Sequence, residues 1–322
     1  YKRQVYEQAR NWFLANWDPS LSVKNWWRLL AESGWGYPHW PVGQFGKSMS
    51  RQEHMEVERA RVSVGAFGVP NDVSVTLVAP TLMEHGNEVL LNRYLEPIAT
   101  GQEMWCQLFS EPDAGSDLAG LKTSAERDGD RWIINGSKVW TTGGHASRRA
   151  VLMARTDPSA DRHSGISFFI LDMKQPGVTV SALRDMTGDE EFNQVSLTDV
   201  EVDHQDVIGE LGEGWRVAMT MLQHERDADA VGHDGGGDVI NQVDLTAPVG
   251  EVQDEQKQGG TTSGFFYATG SVKDDVTFNL LNQLAPNRDP VLRDAETVAK
   301  VNRNLLDLSL IHISEPTRRT PI

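Results

Sequence analysis

A run of small and polar residues, Ser110-Glu111-Pro112-Asp113-Ala114-Gly115-Ser116-Asp117-Leu118-Ala119-Gly120, follows the stretch Trp105-Cys106-Gln107-Leu108-Phe109. Hydroxyls and glycines at a strand end favour a loop whose backbone N–H groups approach an anion closely. The Gly-Lys-Ser/Thr ending of a P-loop is missing, as is the G-x-G-x-x-G spacing of a dinucleotide fingerprint. The run therefore reads either as another kind of ligand loop or as an ordinary turn. A second chemical candidate is Glu225, which ends a stripe of Leu211, Trp215, Ala218 and Leu222 at intervals of four, three, four and three. Such a carboxylate is either a functional group on the buried face or the point where a helix emerges into water. Cys106 is the only cysteine, which excludes a disulfide within the chain, and it reads as a buried structural thiol. The nine histidines show no metal-ligand spacing, so no metal is expected, and His224 is expected on the surface. The acidic run Asp189-Glu190-Glu191 reads as a solvated loop.

The elements that must position these residues fall into three textures. Before residue 105 the chain reads mostly as helix, with Val5, Ala9, Trp12 and Phe13 at helical spacing. Ser50 with Glu53 predicts a capping box, and Thr81 with Glu84 repeats the signal. Val89, Leu90, Tyr94 and Leu95 supply another apolar face ahead of Pro97. From 104 onward short strand-like runs follow one another: 104–110, 121–127, 131–134, 137–141, 150–155, 166–171, 178–183 and 194–199. Asp128-Gly129 and Asn135-Gly136 are expected to turn hairpins between them. Closely spaced strands without intervening helices predict an antiparallel barrel or sandwich rather than βαβ units. After Gly209 helical spacing returns.

The resulting expectation is an α+β multidomain chain. It has an all-helical domain at 5–104, a middle β domain at 105–210 and a partial C-terminal helical domain at 211–308. The last contains an irregular insertion at about 240–287, richest in Gly, Thr, Ser, Asp and Gln over 246–275. The tail 309–322 has no packing pattern and, like residues 1–4, resembles translated adapter sequence, so both are set aside. With 46 acidic against 30 basic residues the net charge is −16, which disfavours nucleic-acid binding. No apolar run is long enough for a membrane span and no signal-peptide core is visible, so a cytoplasmic protein is expected.

The run Ser110-Glu111-Pro112-x-Ala114-Gly115-Ser116-Asp117 is similar to the first signature of the acyl-CoA dehydrogenases. Trp140-Thr141-Thr142-Gly143-Gly144 resembles that family's second flavin-contacting segment, at the expected distance downstream. The order helix, β, helix is also the family's, and the likeness extends over roughly 5–232 and weakly over 288–308. The resemblance implies FAD as cofactor and α,β-dehydrogenation of an acyl-CoA, with an electron-transfer flavoprotein as acceptor and a homo-oligomer when full length. It implies a flavin lining of Gln107, Leu108, Phe109, Ser110, Gly115, Ser116, Trp140, Thr141 and Thr142, with Trp140 against the ring and Thr142 near N5. A Trp in a strand also serves simply as core, so the two roles compete at Trp140. Ser116 and Arg226 match substrate-contacting positions. Glu225 matches the place where one branch, including the isovaleryl- and long-chain-type enzymes, keeps its catalytic glutamate. Other members place the base later, in a part of the bundle expected beyond this chain's end. Two alternatives share the resemblance. One is oxidase chemistry with oxygen as acceptor; the other is a noncatalytic flavin- or CoA-binding fragment.

Overall fold

Helix α1 (Lys2–Asn16) buries Val5, Ala9 and Phe13 at a spacing of four, the face expected of its sequence. Lys2, Arg3 and Gln4, set aside above with the terminal segments, form its first turn. The computed structural model describes residues 2–184, 192–231, 246 and 248–250. The insertion beyond residue 250, the 288–308 helix, the 309–322 tail and the acidic run 189–191 lie outside these residues.

Helices α2 (Val23–Ser33) and α3 (Arg51–Val64) pack with α1 around Trp26, Trp27 and Phe67. The two indoles are buried with their N–H groups satisfied, Trp26 Nε1 donating to Phe67 O and Trp27 Nε1 to Gly68 O, each at 2.9 Å. Ser50 and Glu53 form the expected reciprocal capping box at the start of α3. Val249, inside the stretch read as an irregular insertion, is fully buried in this helical core. Its N–H donates to Leu21 O at 2.8 Å, and Gly250 N donates to Pro19 O at 2.9 Å.

One helical expectation is corrected. Thr81 does not cap a helix: α4 (Ala79–His85) continues directly from a π-helical turn at Ser74–Val78, and the Thr81 hydroxyl donates back to Leu77 O at 2.7 Å. Helix α5 (Glu88–Ala99) runs on through Pro97. The tertiary hold on Ile98 and Ala99, both fully buried, and Tyr37 Oη donating to Ala99 O at 2.8 Å outweigh the lost backbone donor.

Seven strands are present among the described residues: β1 (Trp105–Leu108), β2 (Ser124–Asp128), β3 (Arg131–Thr142), β4 (Arg149–Arg155), β5 (Ile166–Asp172), β6 (Val178–Leu183) and β7 (Phe192–Asp203). They form one sheet in the order β1-β4-β2-β3-β7-β6, with β5 alongside β4. Most pairs are antiparallel, as expected, but β4 is parallel to β1 and, at Ser124 and Arg155, to β2. The Asp128-Gly129 hairpin forms as read, pairing Asp128 with Arg131. The Asn135-Gly136 hairpin does not: 131–134 and 137–141 are one strand, and the pair sits at a register shift opposite β7. Asn135 spends its amide on Asp199, donating from Nδ2 to Oδ1 at 3.1 Å and accepting from the Asp199 N–H at 2.9 Å. Gly136 is glycine because a Cβ there would stand 2.3 Å from Thr123 Oγ1 and 2.8 Å from Thr123 Cα.

The last described helix, α6 (Gly214–Val231), packs on β5, α4 and the π-helical turn. No helix among the described residues is long and apolar enough to cross a membrane.

Candidate active site

The first motif is a tight turn at the end of β1. Glu111 and Ala114 exchange backbone hydrogen bonds, 3.0 Å one way and 3.1 Å the other, which turns the chain at Pro112-Asp113. Gly115, Ser116 and Asp117 then lie exposed. A Cβ on Gly115 would meet nothing within 4 Å, so the protein's own packing does not demand glycine there. The far end of the loop is tied to β4: Arg155 Nη2 donates to Ala119 O at 2.9 Å, and Asp117 pairs with Arg162.

Beneath the turn lies a buried ion pair that sequence reasoning missed. Lys138, 0% exposed on β3, donates from Nζ to Glu111 Oε1 at 2.9 Å and to Phe109 O at 3.0 Å. The Glu111 carboxylate also accepts from Lys122 N at 2.6 Å, Thr123 N at 2.9 Å and Thr123 Oγ1 at 2.5 Å. Burial pushes the Glu111 carboxyl up, but Lys138 and these donors overcome it and hold it below its ordinary value. Burial pulls the Lys138 ammonium down to about 8 against the attraction of Glu111. At neutral pH the pair is ionic, with four donors on one carboxylate. The available signal was a lysine inside an otherwise strand-like run two residues before Trp140, together with the glutamate of Ser-Glu-Pro.

The second motif ends β3 directly above this pair. Val139 N donates to Ser110 O at 2.9 Å, so the two motifs are hydrogen-bonded to each other. The β3–β7 register slips between Lys138 and Thr141, and Trp140 takes up φ 60°. A left-handed backbone at a bulky aromatic costs on the order of 1–2 kcal/mol. Bulges of this kind re-aim side chains. Here the indole stands 57% exposed with its edge near Phe192, ring centroids 5.7 Å apart. Trp140 is therefore not core. Thr141 is buried with its hydroxyl lacking a hydrogen-bond partner, and Gln107 Nε2 on β1 is likewise buried without one. Thr142 is half-buried, and Gly143 O accepts from Ser147 Oγ at 2.8 Å, closing the turn beyond it.

On α6 the buried residues are Val217, Ala218 and Met221, and they share one apolar core with Phe109 and Trp105 of the first motif's strand. The expected stripe is thus rotated: Leu211 precedes the helix and is 41% exposed, while Trp215 and Leu222 flank the core. Rotation also corrects His224, which continues the 217–221 row, is half-buried, and has a buried Nε2 with no hydrogen-bond partner, 3.9 Å from Glu84 Oε2. Nearby, His85 Nε2 and Thr220 Oγ1 lie 2.7 Å apart. Glu225 is half-buried; Arg226 is exposed and donates to Gln223 Oε1 at 2.9 Å. Cys106 is fully buried, and burial pushes its thiol up to about 12, as befits a structural residue.

Residues 2–102 match the family model described as acyl-CoA dehydrogenase, N-terminal domain, and residues 106–200 match acyl-CoA dehydrogenase, middle domain. The chain belongs to the acyl-CoA dehydrogenase family. Acyl-CoA dehydrogenase FadE34 of Mycobacterium tuberculosis is 42% identical over 203 residues, 63% of this chain and 28% of that protein. Acyl-CoA dehydrogenase IpdE1 of the same organism is 38% identical over 207 residues, 64% of this chain and 54% of that protein. This chain therefore spans about a quarter to a half of these relatives. Among solved structures, the Tcur3481-Tcur3483 steroid ACAD matches with a TM-score of 0.56 and 30% identity, over 74% of this chain and 64% of that one. The family's helical N-terminal region and β region are both present, and the β region carries both motifs.

Proposed function

We propose that the chain carries the flavin-facing half of an acyl-CoA dehydrogenase site, acting with FAD on an acyl-CoA thioester. The observation that carries this reading is the Val139–Ser110 hydrogen bond, which joins the two motifs while the Trp140 ring stands out from the sheet. The residues fit a flat anionic cofactor. Trp140 offers an exposed aromatic face, Gly115 leaves backbone open to close approach, and Gln107 Nε2 and Thr141 Oγ1 are polar atoms in want of partners. Residues 107–110, Gly115, Ser116 and 140–142 would hold the cofactor, with Thr142 near its reactive edge. When bound, FAD supplies a two-electron acceptor that takes the β-hydrogen as hydride.

Glu225 is the proposed base for the α-proton, on a helix whose apolar face shares the core behind the first motif. A carboxylate does this work when desolvation raises its pKa toward the working pH. Ser116 and Arg226 are the proposed contacts to the acyl-CoA, with Arg226 leaving Gln223 to reach it. An electron-transfer flavoprotein as acceptor and a homo-oligomeric whole protein complete the reading.

The test is the visible spectrum of the full chain with FAD, followed by anaerobic addition of acyl-CoA. The panel includes a steroid-derived thioester, because a solved relative is described as a steroid ACAD. A bound-flavin spectrum that bleaches supports the proposal; a chain that binds no flavin overturns it. Glu225→Gln is expected to slow bleaching by roughly a hundredfold or more, and wild-type bleaching in that variant removes Glu225 from its role. Peroxide released in air on addition of acyl-CoA would shift the reading to oxidase chemistry.

A further inference from the structure

Lys138 is the one charged residue of β3 that is wholly enclosed, and both of its hydrogen-bond partners belong to the first motif's segment at the end of β1. Its ammonium touches Phe109 O and Glu111 Oε1 on either side of Ser110. Its own strand neighbour, Val139, donates to Ser110 O. Ser110 is thus bracketed: its carbonyl is held by the backbone of β3, and both flanking residues are held by the Lys138 side chain. Glu111 carries the same connection onward through Thr123, which reaches it only because Gly136 has no side chain. Two residues past Lys138 the backbone turns left-handed and delivers Trp140 outward.

A buried lysine in a strand needs compensation for its lost hydration, and here two acceptors supply it. What the arrangement does specify is the offset between the loop of 110–116 and the segment of 140–142. A long, flexible side chain anchored at both acceptors converts two separate peptide segments into one surface.

We propose that Lys138, acting through Glu111 and the Phe109 carbonyl, is a positioning residue that sets the spacing between the Ser110 loop and Trp140 for the bound flavin. The proposal rests on the reading that this site holds FAD. It concerns where the isoalloxazine sits against Trp140, so the readout is the cofactor's own optical signature rather than turnover.

The experiment compares wild-type full chain with Lys138→Met, Lys138→Arg and a control, Val202→Ala. The control thins the β core at the far end of β7, where Val202 pairs with Trp132. Two quantities are read for each: the FAD dissociation constant by flavin fluorescence quenching, and the visible circular dichroism of the bound flavin. Lys138→Met is expected to weaken FAD binding at least tenfold and to change the visible dichroism band. Lys138→Arg, which keeps charge and donors, is expected to regain part of that band. Val202→Ala is expected to lower the melting temperature while leaving both flavin readouts within twofold of wild type. Wild-type affinity and dichroism in Lys138→Met overturn the proposal, as does an equal loss in Val202→Ala, which would mark the effect as general destabilisation. Should Lys138→Met give no soluble protein, Glu111→Gln is read by the same criteria. A wild-type chain that binds no FAD sinks the functional reading and this inference with it; flavin-bound wild type with unaltered variants sinks this inference alone.

Discussion

The seat of Glu111 and Lys138 and the seam between α4 and α6 are both polar, and they are satisfied to very different degrees. Under the first motif every acceptor position of importance is filled: one carboxylate takes four donors and one ammonium takes two acceptors, at 2.5–3.0 Å. At the seam, Glu84, His85, Thr220 and His224 make one short contact, His85 to Thr220 at 2.7 Å. Around it the contacts lengthen: Thr220 to Glu84 is 3.4 Å and His224 to Glu84 is 3.9 Å, while His224 Nε2 is buried without a hydrogen bond. A saturated buried network holds one geometry, because any displacement leaves a desolvated group unpaired. A loosely satisfied one tolerates movement. The first lies beneath the turn of the first motif, the second where α4 meets α6.

The strongest way to break this contrast is to empty the seat. Removing the partner of a buried charge costs about 3–5 kcal/mol. Lys138→Met is expected at the lower end, since Glu111 keeps Lys122 N, Thr123 N and Thr123 Oγ1. Glu111→Leu is expected at the upper end, because it strands those donors as well. Urea denaturation of both single variants and the double should show the double costing at least 1 kcal/mol less than their sum. Additive losses would mean that the pair is not coupled.

A smaller effect is expected from Gly136→Ala, which leaves all the charges in place but drives a methyl against Thr123. Overpacking of this kind costs about 1–3 kcal/mol. If the melting temperature of Gly136→Ala matches wild type, the close approach of Thr123 to β3 is not a constraint.

The weakest effect should come from the seam, and it depends on pH. Burial lowers the His85 pKa below its ordinary value, against the pull of Glu84. The unfolded chain therefore binds the His85 proton more readily than the folded one. Stability is unaffected above the unfolded value near 6.5 and falls as pH drops through it toward the folded value. His85→Gln should flatten the part of the stability profile that lies just below the ordinary histidine value of about 6.5. An unchanged slope would show that His85 titrates alike in both states.

These results also show which features local sequence carried. The capping box at Ser50, the Asp128-Gly129 hairpin and the Val5, Ala9, Phe13 face each depend on neighbours within a few residues, and each appears as read. The first motif was visible from residue type as a small-residue loop, whereas the second stood out only through the family resemblance. The failures share one cause, a partner distant in sequence. Asn135-Gly136 has a hairpin's composition, but its amide is claimed by Asp199 and its missing side chain by Thr123. Pro97 likewise stands inside α5, where Tyr37 and the surrounding core, distant in sequence, hold the last turn. On α6 the buried row is set by packing on β5, α4 and the π-helical turn, which takes in Val217, Ala218 and Met221 and brings His224 inward with them. Lys138 drew no reading from the sequence, because the partner that explains its burial, Glu111, lies 27 positions earlier.

Val249, seated among Val23, Trp26 and Trp27, makes the first helices dependent on a residue more than 200 positions away. During synthesis α1 and α2 leave the ribosome long before their last core contact exists. At about 5–20 residues per second, that interval is roughly 10–45 s. For that time the core that Val249 completes is open to solvent, and a chaperone that binds apolar surface has its longest opportunity at α1 and α2.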